Sequence, residues 1–414
     1  MPVELMQIGP PRQYPSHGPG LRIWLVVWVA CVLSVDGAVL LLWPKDLPAH
    51  GALFWLLIAG LPNAVFVALV ALNRADYESR HLRVLYYNDH RERRRMELVE
   101  EGQQSLKVFG YAYRLPLECG TFAQTVAKGM SLLKAQPLRD GTTIVRHLLL
   151  PEDDESDVVD PRLRQVLAQS SLTREGKLYA QLLAPLLDII DGLAVSGVLP
   201  AVRLMVDDDV PPGQALQQIR VVLGAFHLPA LECRVIPGCD GLMPVDAWLD
   251  AKETRPLLLM AAALHDVPPA ESTEGGVAIL LAPETLRLPS ELVSCATIHR
   301  PVSRPADEFG EGVALSLLWG KAAPSSVERA WVTGFAEDQH ALIGVACRRT
   351  GLERLTTHES RFNQDRVVGH AGNAAGWLAV TAAAEYGGER PQLILNRART
   401  MQAAIVRAHP PRKS

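Results

Sequence analysis

The sequence predicts an α/β protein carried on a two-span N-terminal transmembrane hairpin. Three observations lead there. Residues 23–43 and 51–72 are apolar over 21 and 22 positions, with Asp36 their one charge, and a helix needs about 20 such residues to cross a bilayer. From about residue 104 onward, short apolar runs of strand character alternate with segments of helical spacing, the pattern of an α/β region. Over all 414 residues, 48% are hydrophobic and 21% charged, a balance that suits folded domains rather than disorder.

Trp24, Trp28, Trp43 and Trp55 stand toward the ends of the two apolar stretches, as an interfacial aromatic belt would. The short joint between them holds Pro44, Pro48 and Gly51, enough for a tight turn. A cleaved signal peptide would have a shorter apolar core and no second apolar segment directly behind it. A buried core hairpin is the other reading of two such stretches. Arg74, Arg80, Arg83, Arg91, Arg93, Arg94 and Arg95 follow the second stretch, whereas Lys45 alone lies in the joint. Positive charge marks the cytoplasmic side, so both termini and the remaining 340 or so residues are expected in the cytoplasm, on a bacterial inner membrane. Six cysteines with no CxxC pair agree with a reducing compartment. Asp36 reads as a proton relay or partner contact within the membrane, or as a hydrogen-bonded residue facing the second helix near Asn63. Pro62 and Asn63 should kink that helix.

The expected divisions are a hairpin over 1–76, an Arg-rich juxtamembrane helix over 77–103, and two α/β halves over 104–245 and 246–414. The run RERRR at 91–95 suits anionic headgroups, or simply marks the cytoplasmic side. In the first half we expect a strand at 106–110, a helix at 121–134, and a solvated loop at 151–160, where six residues of ten are acidic. A helix at 178–193, a strand at 201–206, a helix at 213–226 and a strand at 231–236 follow. In the second half, 237–275 reads as loops with a helical piece at 257–264. Strands are expected at 276–281, 312–318, 330–334, 342–347, 391–395 and 403–406, with a helix at 371–386.

Net charge −4 (41 basic against 45 acidic residues) gives no case for nucleic-acid binding. Gly-x-Ser-x-Gly, HExxH and P-loop patterns are absent, as is zinc-ligand spacing, so neither a metal nor a cofactor is expected.

Residues 106–133, LKVFGYAYRLPLECGTFAQTVAKGMSLL, resemble the opening of β-ketoacyl synthases, with Gly110, Pro116, Leu117, Gly120, Phe122, Gly129 and Ser131 matching. GEGVALSLL at 310–318 resembles that family's GEGA strand, carried here by Gly310 and Gly312. VVGHAGNAAGWLAVTAAAEY at 367–386 resembles its Gly-His-x-x-Gly-Ala-Ala-Gly segment through Gly369, His370, Gly372, Ala374, Ala375 and Gly376. The resemblance implies a degenerate thiolase-like fold, two mixed-sheet halves packed with helices, over roughly 104–410.

The family's chemistry does not carry over with it. Ketosynthases set a nucleophilic Cys at the start of a buried helix, well before the GEGA strand. Only 14 residues separate Cys295, in Ser294-Cys295-Ala296-Thr297, from Gly310, and the position of the family's Lys falls on Asp365. No His-Gly-Thr-Gly stretch supplies a second histidine. A lone His cannot run a Claisen condensation without an activated thiolate, so no catalytic residue is assigned. Cys119, Cys233, Cys239 and Cys347 read as small buried hydrophobes, and His370 as a packed residue near a helix start.

The passages GYAYRLPLECG, LLLMAAALHDVPP and RVVGHAGNAAGWLAVTAAAEYG, behind a membrane segment, are similar to the bacterial type VI lipase adaptor family. That likeness implies a non-enzymatic adaptor, with a lipase-type effector and a secretion spike protein as partners. A ketosynthase-like acyltransferase and a scaffold for another envelope machine are the alternatives, and homodimerisation is open. The expected docking surface is three loops, marked by Asp207, Asp208 and Asp209, by Pro237 and Asp240, and by Arg304, Asp307 and Glu308. The acidic loop could steer a basic partner. Alkaline phosphatase fused after Ser414 should be inactive and a fluorescent protein there should glow; an active phosphatase would refute the expected topology.

Overall fold

The computed structural model describes residues 5, 8–16, 20–44, 50–117, 120–138, 143–151, 159–169, 171–207, 210–288 and 291–409. The joint at 45–49, most of the acidic loop (152–158), Cys119, Asp208, Asp209 and the tail at 410–414 lie outside the described residues. The chain divides into two compact units, Glu4–Leu98 and Val99–Ser414.

In the first unit, α1 (Leu21–Leu42) and the start of α2 (Ala52–Gly102) both have the length and apolarity to cross a membrane. Trp24 meets Phe66 and Trp43 meets Phe54, with ring centroids 6.0 and 5.1 Å apart, so the two helices run antiparallel. Pro62 has no N–H to donate, and the turn before it is a π-helical segment, Leu56–Gly60, where the Leu61 N–H reaches back to Leu56 O. Asn63 donates to Ala59 O at 2.7 Å and accepts from Trp28 Nε1 at 2.9 Å. The expected Asp36–Asn63 contact is therefore not made. Trp28 occupies the Asn63 carbonyl, and Asp36 Oδ1 is enclosed with no hydrogen-bond partner among the described residues.

Past the apolar stretch α2 continues without a break, although its sequence turns polar. Pairs three or four residues apart hold it: Arg74–Glu78 and Arg80–Asp76 at 2.8 Å, Arg94–Glu97 at 3.0 Å, Arg95–Glu92 at 3.2 Å, and Arg93–Asp89. Each such pair contributes about 0.2–0.5 kcal/mol. Residues 9–14 run back along this helix. Arg91 Nε donates to Gly9 O at 2.6 Å, Arg12 and Asn88 exchange two hydrogen bonds, and Tyr14 packs on His81. The segment before α1 and the segment after the second apolar stretch thus lie side by side.

The second unit carries strands β1 (Ser105–Arg114), β2 (Lys134–Pro137), β3 (Ile144–Leu148), β4 (Ala201–Val206), β5 (Cys233–Pro237), β6 (Leu257–Ala263), β7 (Ser272–Thr273), β8 (Gly275–Pro283), β9 (Ala296–His299), β10 (Val302–Arg304), β11 (Ala330–Thr333), β12 (Arg361–Asn363), β13 (Gln392–Arg397) and β14 (Met401–Ala408). Its helices are α3 (Phe122–Lys128), α4 (Pro161–Leu167), α5 (Arg174–Leu183), α6 (Leu187–Val195), α7 (Pro212–Ala225), α8 (Pro244–Asp250), α9 (Phe309–Trp319), α10 (His340–Arg349), α11 (Gln364–Val368) and α12 (Ala375–Tyr386).

One sheet runs in the order β12-β11-β13-β14-β9-β1-β8-β6-β4-β5, with β10 on β14, and a small β2-β3-β7 sheet stands apart. The first half uses β1, β4, β5, β6 and β8, ordered in space as third, second, fourth, fifth, first. The second half, β9, β11, β12, β13 and β14, repeats that order. In each half the third, second and fourth strands are parallel, and the fifth and first are added antiparallel. Antiparallel pairing of β1 with β9, Leu106 opposite Ile298, joins the halves. These are the two mixed-sheet halves the sequence suggested, but the division falls between Pro283 and Ala296 and not at 245/246, because β6 and β8 complete the first half.

Alternation along the strands decides which face each side chain meets. In β6, Leu257, Leu259 and Ala261 face one core with α3, α8 and α12, while Leu258 and Met260 face a second with α5, α6 and α7. In β13, Ile394 faces the shared inner core, and Leu393 and Leu395 face a third with α9 and α10. Residues Arg174–Val195 form a third helical stretch long and apolar enough to cross a membrane. Here α5 and α6 instead press Leu178, Leu182, Leu183, Leu187 and Ile190 against the sheet.

Four expected elements differ. Residues 257–264 were expected helical but form β6, because a strand buried on both faces shows no alternation. Residues 312–318 lie in α9, where Phe309, Gly312, Val313, Ser316 and Leu317 are buried at helical spacing. Residues 342–347 lie in α10, with Ile343, Ala346 and Cys347 on its buried face. The helix expected to reach 134 ends at Lys128, where Gly129 takes a left-handed φ of 71° as its cap.

A buried clamp ties the small sheet's surroundings to the first half. The fully buried carboxylate of Glu274 accepts from Leu150 N at 3.0 Å, His265 N at 3.2 Å and Arg174 Nη1 at 2.9 Å. Although burial opposes ionisation, Arg174 and the two amides hold the Glu274 carboxyl below its ordinary value. The stability it contributes is present above the ordinary glutamate pKa and is lost as pH falls through the lowered one. Glu274→Ala should cost about 3–5 kcal/mol, the scale for breaking a buried ion pair, and flatten that acid dependence in urea unfolding across pH 3–6.

Candidate functional site

Four segments line a cavity of about 600 Å³: Asp207 after β4, Gly238–Gly241 after β5, His370–Gly376 running into the start of α12, and Asn396–Arg399 from the end of β13 into the turn to β14. Two of these loops are topological equivalents. Each follows the third strand of its half and precedes the inner helix that leads to the fourth. The duplicated order thus brings a Cys239 loop and a His370 loop to one cavity.

The second-half wall hangs on Asp365. Its carboxylate accepts from Thr333 Oγ1 at 2.6 Å and from Gly334 N at 2.5 Å, tying α11 to the end of β11. Gly334 has φ +80°, and a Cβ there would run into Arg397 O, so only glycine lets the β11 and β13 loops close. The same carboxylate lies 3.6 Å from His370 Nδ1. That neighbour raises the imidazole pKa above the ordinary histidine value, outweighing burial. The backbone of His370 is fixed separately, by His370 N to Glu271 O at 2.8 Å and Thr273 N to His370 O at 3.1 Å. The side chain is 47% exposed, so it is available to the cavity.

The first-half wall is held by crossing bonds. Trp377 Nε1 donates to Gly241 O at 3.0 Å, Gln402 Nε2 to Asp240 O at 2.8 Å, and Leu242 N to Gln402 Oε1 at 2.9 Å. Asn373 Nδ2 donates to Met205 O at 3.1 Å, while its Oδ1 is buried with no partner among the described residues. Arg399 N donates to Cys239 O at 3.3 Å.

Some sequence-derived residues come together here and others do not. Asp207, His370, Gly372 and Gly376 line the cavity. Pro237 and Asp240 are exposed beside it. Arg304, Asp307 and Glu308 lie elsewhere, before α9, with Arg304 against a recess of about 40 Å³ at Arg300 and Trp319. Gly310 and Gly312 are on α9, a helix and not the expected strand. Gly110 sits at a bulge in β1, where a Cβ would meet Ile189 and Leu186. Pro116 shapes the turn after β1, where Leu117 N donates to Leu115 O.

The cysteines are rearranged relative to expectation. Cys295 immediately precedes β9, is not among the described cavity residues, and burial pushes its thiol up to about 11. Cys239, expected as a buried hydrophobe, is exposed on the cavity wall. It stands in the turn between β5 and α8, at the start of an inner helix. The sequence did carry a signal for this: Gly238-Cys239-Asp240-Gly241 directly follows an apolar strand.

Two expectations follow. A carbon-13 titration of His370 should give a pKa above the ordinary histidine value, and Asp365→Asn should return it toward that value. The stabilisation of the imidazolium is complete below the ordinary pKa and is lost as pH rises through the raised one.

No protein-family model and no curated protein matches the sequence. Solved structures do. One is the KS7 ketosynthase domain of OzmH from Streptomyces albus JA3453, at TM-score 0.52 and 12% identity over 75% of each chain. Another is the PfaC ketosynthase–chain length factor, at TM-score 0.52 and 11% identity over 74% of this chain and 43% of that one. At such identities the likeness establishes the fold, which is thiolase-like.

Proposed function

We propose that this chain is a membrane-anchored, non-enzymatic binding protein that uses a thiolase-like body as an adaptor in the cytoplasm. The observation that carries the reading is the lining of the cavity. Asp207, His370, Asn373, Asn396, Arg397 and Arg399 surround it, and Ala398 is the one aliphatic side chain among its described lining residues. A fatty acyl chain needs an apolar channel, because burying polar groups without partners costs more than the chain gains. The acid Asp365 at the place of a ketosynthase lysine, engaged with Thr333 and Gly334, supports the same reading. So do the two apolar helices of the first unit, which suit an anchor. The sequence likeness to lipase adaptors leads us to propose a lipase-type effector as cargo and a secretion spike as destination.

Acyl transfer is the second reading, because Cys239 and His370 share one cavity. The full-length protein, solubilised from its host and affinity-captured, should bring down a lipase-like effector or spike component, and Cys239→Ala should bring down the same partners. Capture of acyl carrier protein, with an acyl thioester forming on Cys239, would instead establish the second reading.

A further inference from the structure

The cavity also has a chemical preference. Among the described lining residues, Arg397, Arg399 and His370 stand against one carboxylate, that of Asp207. Arg397 is engaged by Gln339, whereas no side-chain partner of the Arg399 guanidinium is described. His370 faces the same space, half exposed and backed by Asp365. These groups suit an anion. On the opposite requirement, Asn373 is 8% exposed, its amide nitrogen is spent on Met205 O, and its Oδ1 is left without a partner. A buried carbonyl oxygen without a donor is costly, and a ligand carrying an N–H would satisfy it.

The backbone supports the match. Gly238 presses on Asn373 so closely that a Cβ would stand 2.8 Å from Asn373 Cβ, which fixes the amide in place. At about 600 Å³ the space falls within the range of sites that enclose drug-sized ligands, room for a few residues of extended chain.

We propose that the cavity captures an acidic, extended peptide segment of a partner protein, its carboxylate held by Arg399 and His370 and a main-chain N–H donated to Asn373 Oδ1. The carboxylate belongs to an Asp or Glu side chain or to a chain terminus; both have the same chemistry. This rests on the binding reading above and gives it a site. Arg supplies a planar fork matched to a carboxylate, and the His370 imidazole adds a second donor. Neutral or basic peptides leave the Arg399 charge unmatched and bind more weakly.

Cys239 supplies a reporter, since it is exposed on the same wall. The full chain in detergent micelles is alkylated with iodoacetamide, and the Cys239 rate is read by mass spectrometry. The probes are N-acetyl-Gly-Glu-Gly amide, N-acetyl-Gly-Gly-Gly free acid, and N-acetyl-Gly-Lys-Gly amide, at millimolar concentration. We expect one or both acidic peptides to slow Cys239 alkylation at least fivefold, with Cys233 unchanged and the lysine peptide without effect. Protection by the first assigns a side-chain carboxylate, and protection by the second a chain terminus. Arg399→Ala and Asn373→Leu should each abolish protection. Arg399→Ala, on an exposed turn, should keep the wild-type melting temperature and so holds the test if Asn373→Leu misfolds.

Equal protection by the lysine peptide, protection that survives Arg399→Ala, or no protection by either acid would overturn the proposal. Protection by pantetheine in place of the acidic peptides would overturn it too and favour acyl transfer. Effector capture that is undiminished in Arg399→Ala would sink this site while leaving the adaptor reading intact; loss of all capture by the wild-type chain would sink the adaptor reading instead.

Discussion

Helix α12 has no solvent face along most of its length. Every residue from Ala375 to Ala384 is buried, because both halves of the sheet close on it. A helix enclosed on all sides cannot be amphipathic, and one pressed between two sheets cannot carry many large side chains. Its sequence, AGWLAVTAAAEY, obeys both limits. Trp377, the one aromatic residue of the buried stretch 375–384, has its N–H met by Gly241 O. From this enclosure the rest follows: the inner core is shared, the two halves are fixed relative to each other, and the loop entering α12 must emerge where the loop entering α8 emerges.

That meeting place is the cavity to which each half contributes one such loop. Duplication supplies a thiol from one half and an imidazole from the other. The surrounding substitutions then change what the place can hold. Asp365 works in two directions, as a structural acceptor for the β11 loop and as the counter-charge to His370. Asp207, His370, Asn373, Asn396, Arg397 and Arg399 are the polar members of the described lining, and Asn373 Oδ1 has no partner among the described residues.

The membrane-length helices were legible because their apolar runs are unmistakably long, strands β4, β5 and β13 because short apolar runs stand between loops, and α12 because its small residues follow a recognisable Gly-His segment. The misread elements share a cause. LLLMAAA at 257–263 and the apolar runs in α9 and α10 lack the contrast between faces that periodicity needs. In α9 the helical spacing of Phe309, Gly312, Val313, Ser316 and Leu317 was present, but a resemblance to a strand motif pointed the other way. Cys239 was missed for a different reason. Its Gly-Cys-Asp-Gly turn after an apolar strand was a local hint, but only the doubled strand order shows that this turn and the His370 loop are counterparts. The cavity itself joins positions from 207 to 399, a separation no spacing rule spans.

The seam between β1 and its neighbours sets a timetable for biogenesis. Strand β1 is made first, yet it pairs with β8 roughly 170 residues later and with β9 later still. At about 5–20 residues per second of synthesis, β1 waits on the order of 10–30 s for its partners. Throughout that interval the nascent chain already has its apolar N-terminal helices outside the ribosome, with Leu106 and Val108 unpaired behind them. Non-local pairing of this kind is slow even after release. The order of emergence therefore makes β1 the strand that stays unpaired longest during synthesis.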